Sequence, residues 1–171
     1  MGEVSPLLRH EPLEETHDIA EFQCGEPSLD DWLKRRAHAN QASGASRTYV
    51  VCQDKRAIAY FALASGAISV QSAPCRFRRN MPDPIPVVVL ARLAVDRSQH
   101  GKGLGRALFR DAALRVLQAA DIIGVRGLLV DAISDEAKSF YLSLGMIVSP
   151  LDFMTLMITL ADLRSSLSGR L

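Results

Sequence analysis

The chain has 171 residues, 48% of them hydrophobic, and a formal net charge of +1. That is enough for one sizeable core and too little for two ordinary domains, and the near-zero charge excludes a globally basic nucleic-acid binder while leaving local basic patches open. No apolar run approaches the ~18 to 20 residues that cross a bilayer, and MGEVSPLLRHEPLEE at the N-terminus is acidic and proline-broken where a signal peptide would be uninterrupted.

The stretch EPSLDDWLKRRAHANQ reads as the first helix, with Ser28 as N-cap, Asp31 three residues on, and Leu29, Trp32, Leu33 and Ala37 on one face. Lys34, Arg35 and His38 fall on the opposite face, as either a solvated surface or a nucleic-acid contact. RTYVVCQ and AIAYFALASGAISV combine β-branched and aromatic residues around the turn Asp54 to Arg56, which predicts an antiparallel hairpin. In QSAPCRFRRNMPDPIP, Pro74, Pro82, Pro84 and Pro86 exclude a helix interior or a central strand. A long loop is expected there, with Arg76, Arg78 and Arg79 around Phe77, and loops of that length are often functional.

The run Val87 to Val95, VVVLARLAV, is almost continuously apolar, as in a central strand covered on both faces. SQHGKGLGRAL leads from it into a broadly apolar helix from Leu104 to about Asp121. VRGLLVDA reads as another buried strand, Ser134 to Leu144 as a helix closed by Gly145, and TLMITLADL as a last strand before a polar tail expected to fray. This order implies an α/β sheet of mixed direction.

Cys24, Cys52 and Cys75 are odd in number and far apart, which suits neither a disulfide framework nor a C-x-x-C zinc arm, so they read as small hydrophobes. His10, His17, His38 and His100 show no i, i+4 pairing and no acidic partner at ligand spacing, and no metal is expected.

The glycines Gly101, Gly103 and Gly105, between a buried strand and a helix, gather unpaired backbone N–H groups and the positive end of a helix dipole at one point. Such a point attracts an anion, usually phosphate, and glycine lets the backbone approach it in conformations other residues resist. No Ser or Thr follows Lys102, which excludes a nucleotide-hydrolysing P-loop, and Arg106 occupies the place where a dinucleotide fingerprint needs glycine.

What remains, His100-Gly101-Lys102-Gly103-Leu104-Gly105, resembles the Q/R-x-x-G-x-G/A pyrophosphate loop of the GNAT superfamily of acetyl-CoA-dependent N-acetyltransferases, with His100 standing where Gln or Arg is usual. Ser134 to Met146, SDEAKSFYLSLGM, resembles the family's N-x-x-A-x-x-x-Y-x-x-x-G-F segment, with Ser134 replacing Asn and Met146 replacing Phe. The resemblance implies a single GNAT domain over residues 1–171, its core about 13–163. It would be a central mixed, mostly antiparallel twisted sheet flanked by helices and splayed near the acetyl-CoA site.

The same resemblance implies site residues. His100 to Arg106 would hold the pyrophosphate, with Lys102 and Leu104 inside the loop, and Leu93, Ala94 and Val95 would pair with the pantetheine arm. Ser134, Lys138 and Phe140 would line the cofactor, and Tyr141 would protonate the departing thiolate. No metal is implied.

Acceptor chemistry adds a constraint. A lysine amine, with pKa near 10.4, needs a placed carboxylate to be neutral at pH 7, and Val87 to Val95 carries none. An α-amine, with pKa near 7.7 to 8.0, is already neutral about one time in ten.

FQCGEPSLDDWLKRRAHANQASGASRTYVV, RRNMPDPIPVVVLARLAVD and VRGLLVDAISDEAKSFYLSLGM extend the resemblance to GNAT-type toxins of bacterial toxin-antitoxin pairs. That group acetylates the α-amine of aminoacyl-tRNA. The likeness therefore implies an enzyme, commonly dimeric, held inactive by a ribbon-helix-helix antitoxin, and the lack of a membrane span or signal peptide reads as cytoplasmic. Lys34, Arg35, Arg76, Arg78 and Arg79 would contact tRNA phosphates. Two other readings stay open: a GNAT enzyme for a small amine or a protein N-terminus, and a non-catalytic module that binds acetyl-CoA or a partner.

Overall fold

The predicted hairpin is present. Strands β2 (Arg47–Gln53) and β3 (Arg56–Ile68) pair antiparallel, and Asp54 turns between them at φ 53, a left-handed value that aspartate tolerates better than most residues. The computed structural model describes residues 9–169; of the tails expected to fray, about 1–12 and 164–171, the parts at 1–8 and 170–171 lie outside the described residues.

The remaining elements are β1 (His10–Pro12), α1 (Pro27–Arg35), α2 (Ala37–Ser43), α3 (Cys75–Arg78), β4 (Ile85–Val95), α4 (Leu104–Ala120), β5 (Gly127–Asp131), α5 (Asp135–Ser143), β6 (Ile147–Val148), β7 (Thr155–Thr159) and α6 (Leu160–Gly169). The seven strands form one sheet in the order β1-β2-β3-β4-β5-β7-β6. β4 and β5 run parallel, whereas β1-β2, β2-β3, β5-β7 and β6-β7 are antiparallel. This is the mixed, mostly antiparallel sheet expected. No helix among the described residues is long and apolar enough to cross a membrane.

The described chain falls into two compact units. The first runs to Leu63 and adds Arg92–Asp111; the second comprises Ala64–Ala91 and the chain from Ala112 onward. In the first, Leu29, Leu33 and Ala37 pack with Phe22, Val50 and Tyr60 in one apolar cluster. Burying the two leucines alone contributes about 3 to 6 kcal/mol. Trp32 stacks on Tyr60, whose hydroxyl donates to the Leu29 carbonyl at 2.6 Å.

The single helix expected over this stretch is two. α1 begins at Pro27 with Glu26 as N-cap, because proline's missing N–H and fixed φ suit the first helical position. Ser28 is therefore inside the helix and does not cap it; its hydroxyl donates to Glu26 instead. At Arg36 the backbone leaves helical geometry (φ -120) before α2 starts.

In the second unit, Phe77, Ala73, Ile85, Val87, Leu129 and Met157 form the core cluster. Three expectations change here. The proline-rich loop contains the single helical turn α3, with Phe77 buried rather than displayed among arginines. The strand after it starts at Ile85, two residues early. The last strand ends at Thr159, and LADL, read as its end, together with the start of the tail expected to fray forms the helix α6, whose Leu163 is fully buried and whose first turn is capped by the Thr159 hydroxyl accepting from the Asp162 N–H at 3.1 Å.

α5 forms as read. Ser134 Oγ accepts from the Ala137 N–H at 3.1 Å, and Gly145 ends the helix at φ +94. Serine and asparagine are both strong N-caps, so Ser134 can serve where the resembled segment carries asparagine.

Candidate functional site

In the first unit, β4 delivers the chain into the glycine stretch. Ala94 is buried in the core cluster, while Leu93 and Val95 are half-buried. Asp96 then turns the chain. Its buried carboxylate accepts from the Gln23 N–H (2.9 Å), the Ser98 N–H (3.1 Å) and the Ser98 hydroxyl (2.7 Å), with Arg56 at 3.9 Å. Burial alone would raise this carboxyl, but those donors hold it below the ordinary value of 3.8. Sequence reasoning missed Asp96; an aspartate two residues before a serine, at the end of a buried strand, was the available signal.

Gly101 and Gly103 both sit at φ +77, and an added Cβ at either would meet nothing within 4 Å. Glycine is required there for conformation and not for room. Gly105 lies within the first turn of α4, where the leading N–H groups have no intrahelical acceptor. The loop is thus an exposed nest of donors at the positive end of a long helix, which fits a diphosphate. Lys102 and Arg106 are exposed beside it.

The His100 ring turns back toward β4. Its Nε2 lies 2.7 Å from the Val95 carbonyl, so as the Nε2–H tautomer it donates to that oxygen and ties the loop back to the strand end.

In the second unit, Tyr141 is 6% exposed, and burial pushes its phenol well above the ordinary tyrosine value. It remains protonated throughout the neutral range. Phe140 packs edge-on against it, ring centroids 5.2 Å apart. Lys138 Nζ lies over the Phe153 ring, and the Ser134 hydroxyl is used as the α5 cap.

The basic residues divide. Lys34 and Arg35 are exposed on α1 of the first unit, whereas Arg76, Arg78 and Arg79 are exposed in the second. Arg76 is committed: its guanidinium grips Asp162 with two 2.6 Å hydrogen bonds. This pair holds Asp162 below the ordinary carboxylate value. Arg126, missed from sequence, donates to the carbonyls of Phe77 and Arg76 at 2.8 Å and so fastens α3.

Both shifted aspartates give a signed pH dependence. Each binds fewer protons folded than unfolded, so its stabilisation is complete above the unfolded value near 4 and is lost as pH falls through the lower folded value. Urea midpoints should be flat from pH 7 to about 5 and fall below about 4. Asp96→Asn and Asp162→Asn should each flatten part of that fall.

Glu11, His17 and Cys52 also come together, their ligand atoms within 4.8 Å, a grouping that sequence spacing did not reveal. His17 Nδ1 accepts from the Glu14 N–H, which places the ring proton on Nε2, 3.2 Å from Glu11. Both ring nitrogens are thereby engaged within the protein. Burial and Glu11 push the Cys52 thiol up to about 11, so it stays protonated. Cys24 is also half-buried, but Cys75 is exposed and is not the packed hydrophobe expected.

A family model described as the acetyltransferase (GNAT) domain matches residues 44–145. A tRNA-acetylating toxin of Mycobacterium tuberculosis (strain ATCC 25618 / H37Rv) is 50% identical over 153 residues, covering 90% of this chain and 92% of that protein. Among solved structures, AtaT complexed with acetyl-methionyl-tRNAfMet superposes with a TM-score of 0.86 at 28% identity, covering 92% of this chain and 98% of that one. A mutant of the toxin AtaT bound to the C-terminus of the antitoxin AtaR and acetyl-CoA gives a TM-score of 0.81 at 27% identity, covering 95% and 99%.

Proposed function

The chain belongs to the GNAT acetyltransferase family, and from that premise we propose that it acetylates the α-amine of the amino acid carried on aminoacyl-tRNA and so arrests translation. It is an acetyl-CoA-dependent enzyme. The observation that carries the reading is the turn at Gly101 and Gly103, which opens the N-terminus of α4 to an anion.

In the proposed chemistry, the backbone amides from Gly101 to Gly105 hold the diphosphate of acetyl-CoA, with Lys102 and Arg106 adding charge at its edge. The end of β4, Leu93 to Val95, pairs with the pantetheine arm and turns an N–H toward the thioester carbonyl. Attack by the neutral amine forms the C–N bond and puts negative charge on that oxygen, which the N–H stabilises. As the C–S bond breaks, Tyr141 donates its proton to the departing thiolate. The amine's extra proton passes to water, and water returns one to the Tyr141 phenolate, leaving the amide and the free thiol as net products.

No carboxylate of this chain is needed for that last step with an α-amine, whose pKa is near 7.7 to 8.0. β4 carries none, and the first one after it, Asp96, is buried with its acceptor positions filled. This favours an α-amine over a lysine acceptor. Lys34, Arg35, Arg78 and Arg79 are proposed to meet tRNA phosphates, with Arg76 contributing less because Asp162 holds it. The complex of AtaT with the antitoxin AtaR supports a further proposal, that an antitoxin neutralises the chain, and we propose in addition that this antitoxin is of the ribbon-helix-helix type and that the chain acts as a homodimer in the cytoplasm.

Gly103→Ala tests the loop. Left-handed geometry costs a non-glycine residue about 1 to 2 kcal/mol, so acetyl-CoA binding followed by calorimetry should weaken about five- to thirtyfold. The acceptor is tested by incubating the protein with acetyl-CoA and total charged tRNA and weighing the released aminoacyl ends by mass spectrometry. Acetylated aminoacyl groups are expected. Their absence alongside acetylation of a free small amine would overturn the assignment.

A further inference from the structure

In the second unit, a cavity of about 420 Å³ opens where the start of α6 meets the approach to β5. Its walls are Met81, Pro86, Val125 and Leu160, and two guanidinium groups, those of Arg126 and Arg164, border it. A smaller cavity of about 170 Å³ shares Arg126 and Ala161 and is bordered by Arg76, Arg79 and Thr159.

The charges here are lopsided. Four arginines surround the paired cavities, and Asp162, already bound by Arg76, is the one carboxylate hydrogen-bonded to any of them among the described residues. Neither Arg79 nor Arg164 has an acidic partner among the described residues. The beginning of α6 adds the positive end of a helix dipole. The larger volume falls within the ~300 to 1,000 Å³ typical of small-ligand sites, and an apolar wall beside fixed cations suits a flat ring carrying a phosphate.

Arg126 makes the site rigid. Its hydrogen bonds to the Phe77 and Arg76 carbonyls and its position over the Phe77 ring, 6.0 Å to the centroid, hold α3 and therefore the arginines that flank it.

We infer that this double cavity receives one nucleotide unit of the RNA substrate, with its base against Pro86, Val125 and Leu160 and its phosphate on Arg79 and Arg164. The inference rests on the proposed aminoacyl-tRNA acceptor for its choice of RNA. Its chemistry, a nucleoside phosphate, is shared with free mononucleotides.

The test is direct binding of fluorescein-labelled deacylated tRNA to the full chain, read by anisotropy at fixed salt. Arg164→Ala, on an exposed helix face, should weaken binding about tenfold, with partial recovery in Arg164→Lys. Leu160→Trp, which fills the cavity, should weaken it similarly, and adenosine monophosphate should displace the labelled tRNA from the native chain. Thermal melting confirms that each variant is folded; should Leu160→Trp fail to fold, Arg164→Ala decides. Unchanged tRNA affinity in Arg164→Ala overturns the inference, and if that variant loses only monophosphate binding, the cavity is a free-nucleotide site instead. A native chain that binds tRNA through Arg164 without acetylating its charged form would overturn the acceptor proposed above and leave this site standing.

Discussion

Tyr141→Phe is expected to transfer acetyl groups about 10²- to 10⁴-fold more slowly than the native chain while binding acetyl-CoA unchanged. The substitution removes one oxygen and keeps the ring that packs against Phe140, so a loss confined to kcat would report the proton and not the packing. Burial holds the phenol above its ordinary value, so at neutral pH the hydroxyl is protonated and present as a hydrogen-bond donor. The measurements are thiol release at saturating substrate and calorimetric titration with acetyl-CoA. A variant with native kcat and weakened acetyl-CoA binding would make Tyr141 a packing residue only. In cells, the same substitution should abolish any growth arrest on expression.

The largest effect on stability is expected at Gly127→Ala. Gly127 opens β5 opposite Thr159 of β7, and a Cβ there would overlap the Ile158 carbonyl oxygen and come within 3.0 Å of the Phe77 ring. Because the first obstacle is backbone within a paired ladder, no rotamer change relieves it. The sheet must part locally or the residue must leave its register. A loss of at least about 3 kcal/mol is expected, a large share of the 5 to 15 kcal/mol that holds a typical domain folded. Urea unfolding followed by circular dichroism measures it; a midpoint within error of the native chain would show that the β5-β7 pairing tolerates a side chain.

Local signals were legible where they act within one turn of chain. α5 was readable from both ends because Ser134 caps it and Gly145 ends it, and both devices involve residues three or four apart. The glycine loop was readable for the same reason. α6 was missed although Leu160, Leu163 and Leu167 recur at helical spacing, because LADL continued the apolar strand pattern and Arg164, Ser165 and Ser166 suggested a solvated tail. The break between α1 and α2 carried no comparable signal. Leu33 and Ala37 are both fully buried on either side of Arg36, so the core, and not the residue at the break, sets the chain's direction there.

The sequence by itself determined the glycine turn that opens α4, the tyrosine on α5, the family, and the argument for an amine that is neutral without help. Tertiary structure alone decided which basic residues are available. Arg76 reads as one of three equivalent arginines until Asp162, 86 positions away, binds it. Arg126 reads as the edge of a strand until it is found bracing α3 across 49 and 50 positions. Helix caps and left-handed turns depend on dihedral angles that each residue type favours or resists, so they are written locally. The pairing of a guanidinium with a carboxylate or carbonyl depends on which distant segments packing brings within about 3 Å, and no local pattern encodes that.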